Sequence, residues 1–194
     1  PRSLPQTEQG RELLGIALAT AITAIIALVF RSEAEAITSN FIGLGLAFLF
    51  TAGLLLTTRR SGGSINTPSL PIAALIGLAQ GVAILPGISR SGTTIAVAML
   101  LGMRPESAFR FSFLLSIPII LLAVGHEAVF GDAYDEGFLL GAFIGGLTAF
   151  VSGLIALVWL RGLVQRGRFW LFSLYLVPFG ITVLSLGLGL SGGK

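Results

Sequence analysis

The sequence predicts an all-α integral membrane protein: about five transmembrane helices plus one re-entrant helical hairpin, forming a single membrane domain over residues 1–194. Three observations carry this. Hydrophobic residues make up 54% of the chain, charged residues 11%, and the mean hydropathy is +0.94, where a soluble domain carries about 25% charge. Apolar runs of spanning length recur along the chain. The basic residues gather at alternate ends of those runs, as the positive-inside rule requires. The net charge of +3 is small and scattered, which argues against a nucleic-acid surface. With no cysteine, disulfides, thiolate catalysis and thiolate metal sites are excluded, and a single histidine, His126, excludes a multi-histidine metal centre within this chain.

A span needs about 20 apolar residues, with a working range of roughly 17–25. Leu13–Phe30, Phe41–Thr58, Gly137–Leu160 and Phe169–Leu190 meet that criterion without an internal charge. Leu13–Phe30 lacks a following small-residue cleavage pattern and is expected to remain as a span. The chain opens at Pro1 and its methionines are Met99 and Met103, so a segment upstream is expected to be absent. Phe111–Gly125 is shorter, extends across a snorkelling Arg110 to Phe109, and carries a potential kink at Pro118. Gly141, Gly145, Gly146 and Gly153 form a small-residue face, expected to pack within the bundle, with a dimer seam as the alternative.

Pro71–Leu85 and Ile95–Gly102 are too short to cross singly, and Pro86-Gly87 breaks the helix between them. Two half-length helices joined by a polar loop make a re-entrant hairpin over 71–102, a geometry tolerated only where protein or a wet cavity surrounds it. The alternative, one span kinked at Pro86, is too long and strands Arg90 in mid-helix. Sidedness favours the hairpin. Arg2 and Arg11, then Arg59 and Arg60, then Arg104 and Arg110, then Arg161, Arg166 and Arg168 share one side only if residues 71–102 enter and leave on that side. The opposite loops hold Arg31 with Glu33 and Glu35, and the acidic set Glu127, Asp132, Asp135 and Glu136. This places the N-terminus of the chain in the cytoplasm and its C-terminus outside. Trp159, Trp170 and Tyr175 fall near the inner interface, where amphipathic rings anchor.

The chemistry concentrates in Leu85–Thr94, where Arg90, four hydroxyls (Ser89, Ser91, Thr93, Thr94) and two glycines sit between apolar segments. A charge at the bilayer centre costs roughly 2.5–3.5 kcal/mol on insertion scales, so such a residue points to an anionic partner, first of all a phosphate-bearing lipid. Gly87 and Gly92 permit tight turns and close approach of a ligand. The helix starting after Ser89 offers unpaired amides and a favourable dipole, and Arg90 a permanently charged fork for phosphate oxygens. Ser89 and Ser91 could equally cap the helix. Gln80, on the other arm, either orients a phosphate oxygen or water or bonds between helices. His126 beside Glu127 reads as structural, and the acidic loop as solvated rather than cation-binding.

Pro86–Thr94, PGISRSGTT, resembles the second signature of the bacitracin-resistance family of undecaprenyl-diphosphate phosphatases. The likeness continues through Ile95–Gly102 and Phe109–Pro118, FRFSFLLSIP, and includes Gln80-Gly81. The resemblance implies a bacterial inner-membrane enzyme of inverted repeats, each a re-entrant hairpin with three spans. Such an enzyme hydrolyses the lipid diphosphate to undecaprenyl phosphate and inorganic phosphate for cell-wall synthesis. Residues 11–58 would match the end of the first repeat and 71–190 the second. Arg90, Ser89, Ser91 and Thr94 would be the catalytic set, with Gly87, Gly92, Thr93 and Gln80 binding substrate. A divalent cation, Mg or Ca, is also implied. In the family, the first repeat opens with a hairpin of paired glutamates and a serine-rich loop ending in Gly-His. No such segment occurs here, and Thr93 stands where the second signature would align that histidine. The expectation is therefore a chain incomplete and inactive alone, completed by a separate N-terminal repeat or a homodimer. Two other readings are a polyprenyl-phosphate binding or transport protein that cleaves nothing, and a structural membrane subunit.

Overall fold

The computed structural model describes residues 7–30, 37, 40–130 and 138–191, and within these the side chains outside 126–140 and 191. Arg31, Glu33, Glu35, Asp132, Asp135 and Glu136, and the side chains of His126 and Glu127, lie outside the described residues. The regular structure described is helical, apart from one isolated bridge between Ile65 and Met103. Among the described residues seven helices follow in order: α1 Glu8–Val29, α2 Phe41–Thr57, α3 Leu70–Val82, α4 Arg90–Leu100, α5 Pro105–Phe130, α6 Phe138–Gln165 and α7 Phe172–Ser191. A short 3-10 turn, Phe169–Leu171, leads into α7. Four helical stretches, Glu8–Val29, Pro105–Gly125, Gly141–Gln165 and Phe169–Leu190, are long and apolar enough to cross a membrane, and α2 is a shorter apolar helix of 17 residues. This is the architecture of a multi-pass membrane protein.

Local chemistry sets the boundaries. Thr7 accepts from Gly10 N–H to open α1, and Asn40 accepts from Ile42 and Gly43 to open α2. Pro71 sits in the first turn of α3, where its missing N–H costs nothing. Pro86 then cannot prolong that helix, and the chain turns through residues 83–88. Gly102, at φ +89°, ends α4: Met103 N–H returns to Ala98 O at 3.0 Å, the closing bond of a left-handed helix cap.

Helices α3 and α4, of 13 and 11 residues, are about 20 and 16 Å long at 1.5 Å per residue, against a hydrocarbon core about 30 Å thick. Their outer ends are tied together. Ile65 N–H donates to Gly102 O at 3.1 Å and Arg104 N–H to Ile65 O at 3.0 Å, so the segment entering α3 and the segment leaving α4 share one end of the bundle. The hairpin is the core of the molecule. Ala73, Ile76, Ile95, Ala96, Ala98 and Met99 are at most 2% exposed, packed by α1 against α3, α2 against α4, and α5 against α4.

The α1–α3 contact works through small residues. A Cβ on Gly77 would stand 2.7 Å from Ala19 Cα, so the two backbones meet with no room for a side chain. Thr23 Oγ1 lies 2.8 Å from Ala19 O and 3.0 Å from Gly77 O, and Gln80 Nε2 donates to Thr23 Oγ1 at 3.1 Å. An interhelical bond of this kind contributes about 0.6–1.7 kcal/mol in membranes. A double-mutant cycle of Thr23→Val and Gln80→Leu, followed by unfolding in mixed micelles, is expected to return a coupling of that size. Zero coupling would assign the contact to packing alone.

The same end of the bundle collects the arginines. Arg110 pairs with Glu12 at 2.9 Å, and the Arg59 guanidinium lies 4.9 Å from the Trp170 ring centroid. Helix α7 packs along α2, with Gly45 against Leu184 and Gly187 against Ile42. Helix α6 differs: it meets α5 and the 3-10 turn, yet every residue from Gly141 to Ala156 is exposed. A Cβ on Gly141, Gly145, Gly146 or Gly153 would meet nothing within 4 Å. The small-residue face expected to pack within the bundle therefore packs against no described residue, because α7 turns to α2 instead.

Candidate functional site

The tip of the hairpin is held by α2. Thr51 on that helix accepts from Ser89 N–H at 3.3 Å and lies 3.0 Å from Ala47 O and 3.5 Å from Gly87 O. Gly87 adopts φ +90°, and a Cβ there would stand 2.8 Å from Ala47 Cβ and 3.1 Å from Leu44 O. The tip is thus a glycine pressed onto a helix, in a backbone conformation that side chains resist.

From that anchor α4 begins. Ser89 Oγ accepts from Gly92 N–H at 3.1 Å, and Ser89 O accepts from Thr93 N–H at 2.9 Å. Ser89 is therefore the N-cap, the role the sequence left open for it. The amides of Arg90 and Ser91 precede the first intrahelical bonds of α4 and remain available to an anion. Gly92 is small for Ser89's sake: a Cβ would lie 2.8 Å from Ser89 Oγ.

Arg90, Ser91 and Thr94 line a pocket of about 50 Å³ together with Ser112, Phe113 and Ser116 of α5. Arg90 is half-buried and Ser91 exposed. No hydrogen bond or ion pair of the Arg90 guanidinium is found among the described residues. Thr94 is 1% exposed and hydrogen-bonds with the Ser112 hydroxyl, its own Oγ1 lying 3.0 Å from Arg90 O. Thr93 is 2% exposed, and its hydroxyl is buried with no partner among the described residues. The structure therefore brings Arg90, Ser91 and Thr94 together, places Ser89, Gly87 and Gly92 in the scaffold beneath them, and puts Gln80 in the α1–α3 contact. Gln80 Oε1 has no hydrogen-bond partner there among the described residues.

Ser112 and Ser116 were not singled out from the sequence. Their signal was present: two hydroxyls four residues apart on one helix face within an otherwise apolar run.

One permanent cation among neutral hydroxyls and amides attracts phosphate oxygens. The same lining does not fit a divalent cation, for it has no carboxylate and the arginine repels a metal. Among the described residues no three His, Cys, Asp or Glu side chains converge. The pocket accommodates a water or two (about 30 Å³ each) and is too small to enclose a diphosphate, so it offers one wall of a site rather than a whole one.

A profile of the family described as "Bacitracin resistance protein BacA" matches residues 2–182. The chain belongs to that family. Among curated BacA-family relatives, a Korarchaeum cryptofilum protein is 41% identical over 179 residues, 89% of this chain and 65% of the relative. A Desulforapulum autotrophicum protein is 37% identical over 172 residues, 85% and 61%. One from Treponema denticola is 37% identical over 184 residues, 93% and 67%. Each carries the name undecaprenyl-diphosphatase. This BacA-family chain thus spans about two thirds of their length or slightly less.

Proposed function

We propose that this chain is the arginine-bearing part of an undecaprenyl-diphosphate phosphatase. The observation that carries the reading is Arg90: a half-buried guanidinium at the start of α4, beside the first amides of that helix and a set of hydroxyls, without a partner among the described residues. Family membership and the relatives' name support reading the anion as a polyprenyl diphosphate. In the proposed reaction Arg90 and the first amides of α4 hold the diphosphate oxygens. A water oxygen attacks the terminal phosphorus, the bridging P–O bond breaks, and undecaprenyl phosphate leaves with the electron pair. Charge neutralisation and positioning are the main demands of phosphoryl transfer. Arg90 answers the first, and the Ser89 cap, tied through Thr51 to α2, answers the second.

A group to activate the water does not line the pocket. The reading places it, with any divalent cation's carboxylates, on a second repeat that faces Arg90. The comparison of α1 with α6 supports such a partner. Gly15, Ala19 and Thr23, four residues apart, seat α3 on α1. Gly141, Gly145, Ala149 and Gly153 have the same spacing on α6 and seat no described residue. In the cell membrane, the arginine-rich end is placed on the cytoplasmic side by the positive-inside rule, which puts the N-terminus of this chain inside and its C-terminus outside.

Phosphate release from undecaprenyl diphosphate in detergent tests this, with the chain alone and with the N-terminal repeat of a longer relative added. Release only after addition is the expected result. Release by the chain alone would mean that the activating group lies within it. Lipid binding without release in both mixtures would point to a carrier of polyprenyl phosphates.

A further inference from the structure

A larger cavity opens beside the Arg90 pocket. It has a volume of about 670 Å³ and lies between α5 and α6, walled by Phe109, Phe113, Leu114, Ile117 and Leu157. That volume is within the usual range of small-molecule sites, about 300–1,000 Å³. Two of its lining residues, Phe113 and Ser116, also line the Arg90 pocket, so the two spaces share a wall. At the arginine-rich end the groove stops at polar side chains, Glu106, Arg110, Arg161 and Gln165. Past Ile117 it opens along α5, where the apolar side chains of Ile120, Leu121 and Val124 are exposed.

We propose that this groove seats the first isoprene units of the lipid whose diphosphate lies on Arg90. The inference rests on the phosphatase reading for the head group and adds the place of the chain. A lipid held by its phosphates at membrane depth needs an apolar path from that point to the bilayer. A groove that touches the head pocket at Phe113 and Ser116, runs over phenylalanine and leucine, and opens sideways supplies one. The polar end at Arg161 and Gln165 turns the chain outward, since burying hydrocarbon against charged groups that water can reach gains nothing. Ser116 sits where the phosphoester meets the chain, a fitting neighbour for the last oxygen.

The test measures binding of two probes, undecaprenyl diphosphate and inorganic diphosphate, to the full chain in nanodiscs. Leu157→Trp narrows the groove from the α6 side, away from the head pocket. It is expected to weaken undecaprenyl diphosphate about ten-fold or more, a loss of 1.4 kcal/mol per decade, and to leave inorganic diphosphate within about two-fold. Arg90→Ala is expected to weaken both probes. Undiminished lipid binding by Leu157→Trp would overturn the proposal, and so would an equal loss of both probes. If Arg90→Ala weakens neither probe while Leu157→Trp stays selective, the groove stands and the head-group reading falls. Independently of any substitution, an isoprenoid diphosphate carrying a photoreactive group in its second isoprene unit should label α5 or α6 between Phe109 and Leu157. Labelling confined to other helices would overturn the assignment.

Discussion

Arg90→Lys is expected to lower phosphate release by the proposed assembled enzyme about 10²-fold or more, with expression and helical content unchanged. The two halves of that expectation have separate causes. Arginine presents a planar fork of donors matched to phosphate oxygens, whereas an ammonium is a point charge. Loss of one well-placed donor to a developing charge typically costs about 10²–10³ in rate. Stability is expected to hold because the guanidinium makes no described bond to the protein, so lysine leaves no partner stranded. Steady-state release, with helical content followed by circular dichroism, checks both halves. Full activity with intact expression would remove Arg90 from the chemistry. A loss of fold would make it a structural residue.

Gly87→Ala is expected to destabilise the chain by about 2–5 kcal/mol. At φ +90° an added Cβ costs about 1–2 kcal/mol for the left-handed backbone. Contact 2.8 Å from Ala47 Cβ adds an overpacking cost of about 1–3 kcal/mol. Because Thr51 bonds Ser89 across the same contact, the damage should reach the cap of α4 and weaken diphosphate binding as well. Gly141→Ala is the matched control. It faces open space, and alanine favours a helix interior by about 0.8–1.0 kcal/mol, so the unfolding midpoint of the chain alone should hold or rise. Equal losses at both positions would mean that the tip is not pressed onto α2.

Much of this was legible in the residues. Run length marks the spans, because the bilayer sets a single scale that composition either meets or fails. The brevity of Pro71–Leu85 and Ile95–Gly102, with Pro86 between them, marks the hairpin. The alternating arginines agree with the bonds that join Ile65 to Gly102 and Arg104. Arg90 announces itself by its cost in lipid. What stayed hidden is directional. Gln80 is polar in an apolar helix, yet nothing local says that it turns to Thr23 on α1 rather than to a ligand. Gly87 and Gly92 declare freedom of backbone, and only the tertiary contact shows whether helix, cap or ligand uses it. Ser112 and Ser116 lie in a span read for hydrophobicity, where a hydroxyl bonded to its own backbone is unremarkable. The glycines of α6 specify close packing without naming the partner.

The way the hairpin is walled has a consequence for how the protein is made. Neither α3 nor α4 is long enough to be retained in the bilayer as a span, and together they return to the side they left. Two of the three helices that enclose them, α1 and α2, come earlier in the chain. During synthesis on the ribosome, the Gly15–Ala19–Thr23 stripe and Thr51 are therefore already in the membrane when Gly77 and Gly87 emerge. The short arms are received by a waiting surface, and α5, next in line, closes it behind them. Moving α1 and α2 after the hairpin by circular permutation would preserve every contact of the finished fold and remove that order of arrival.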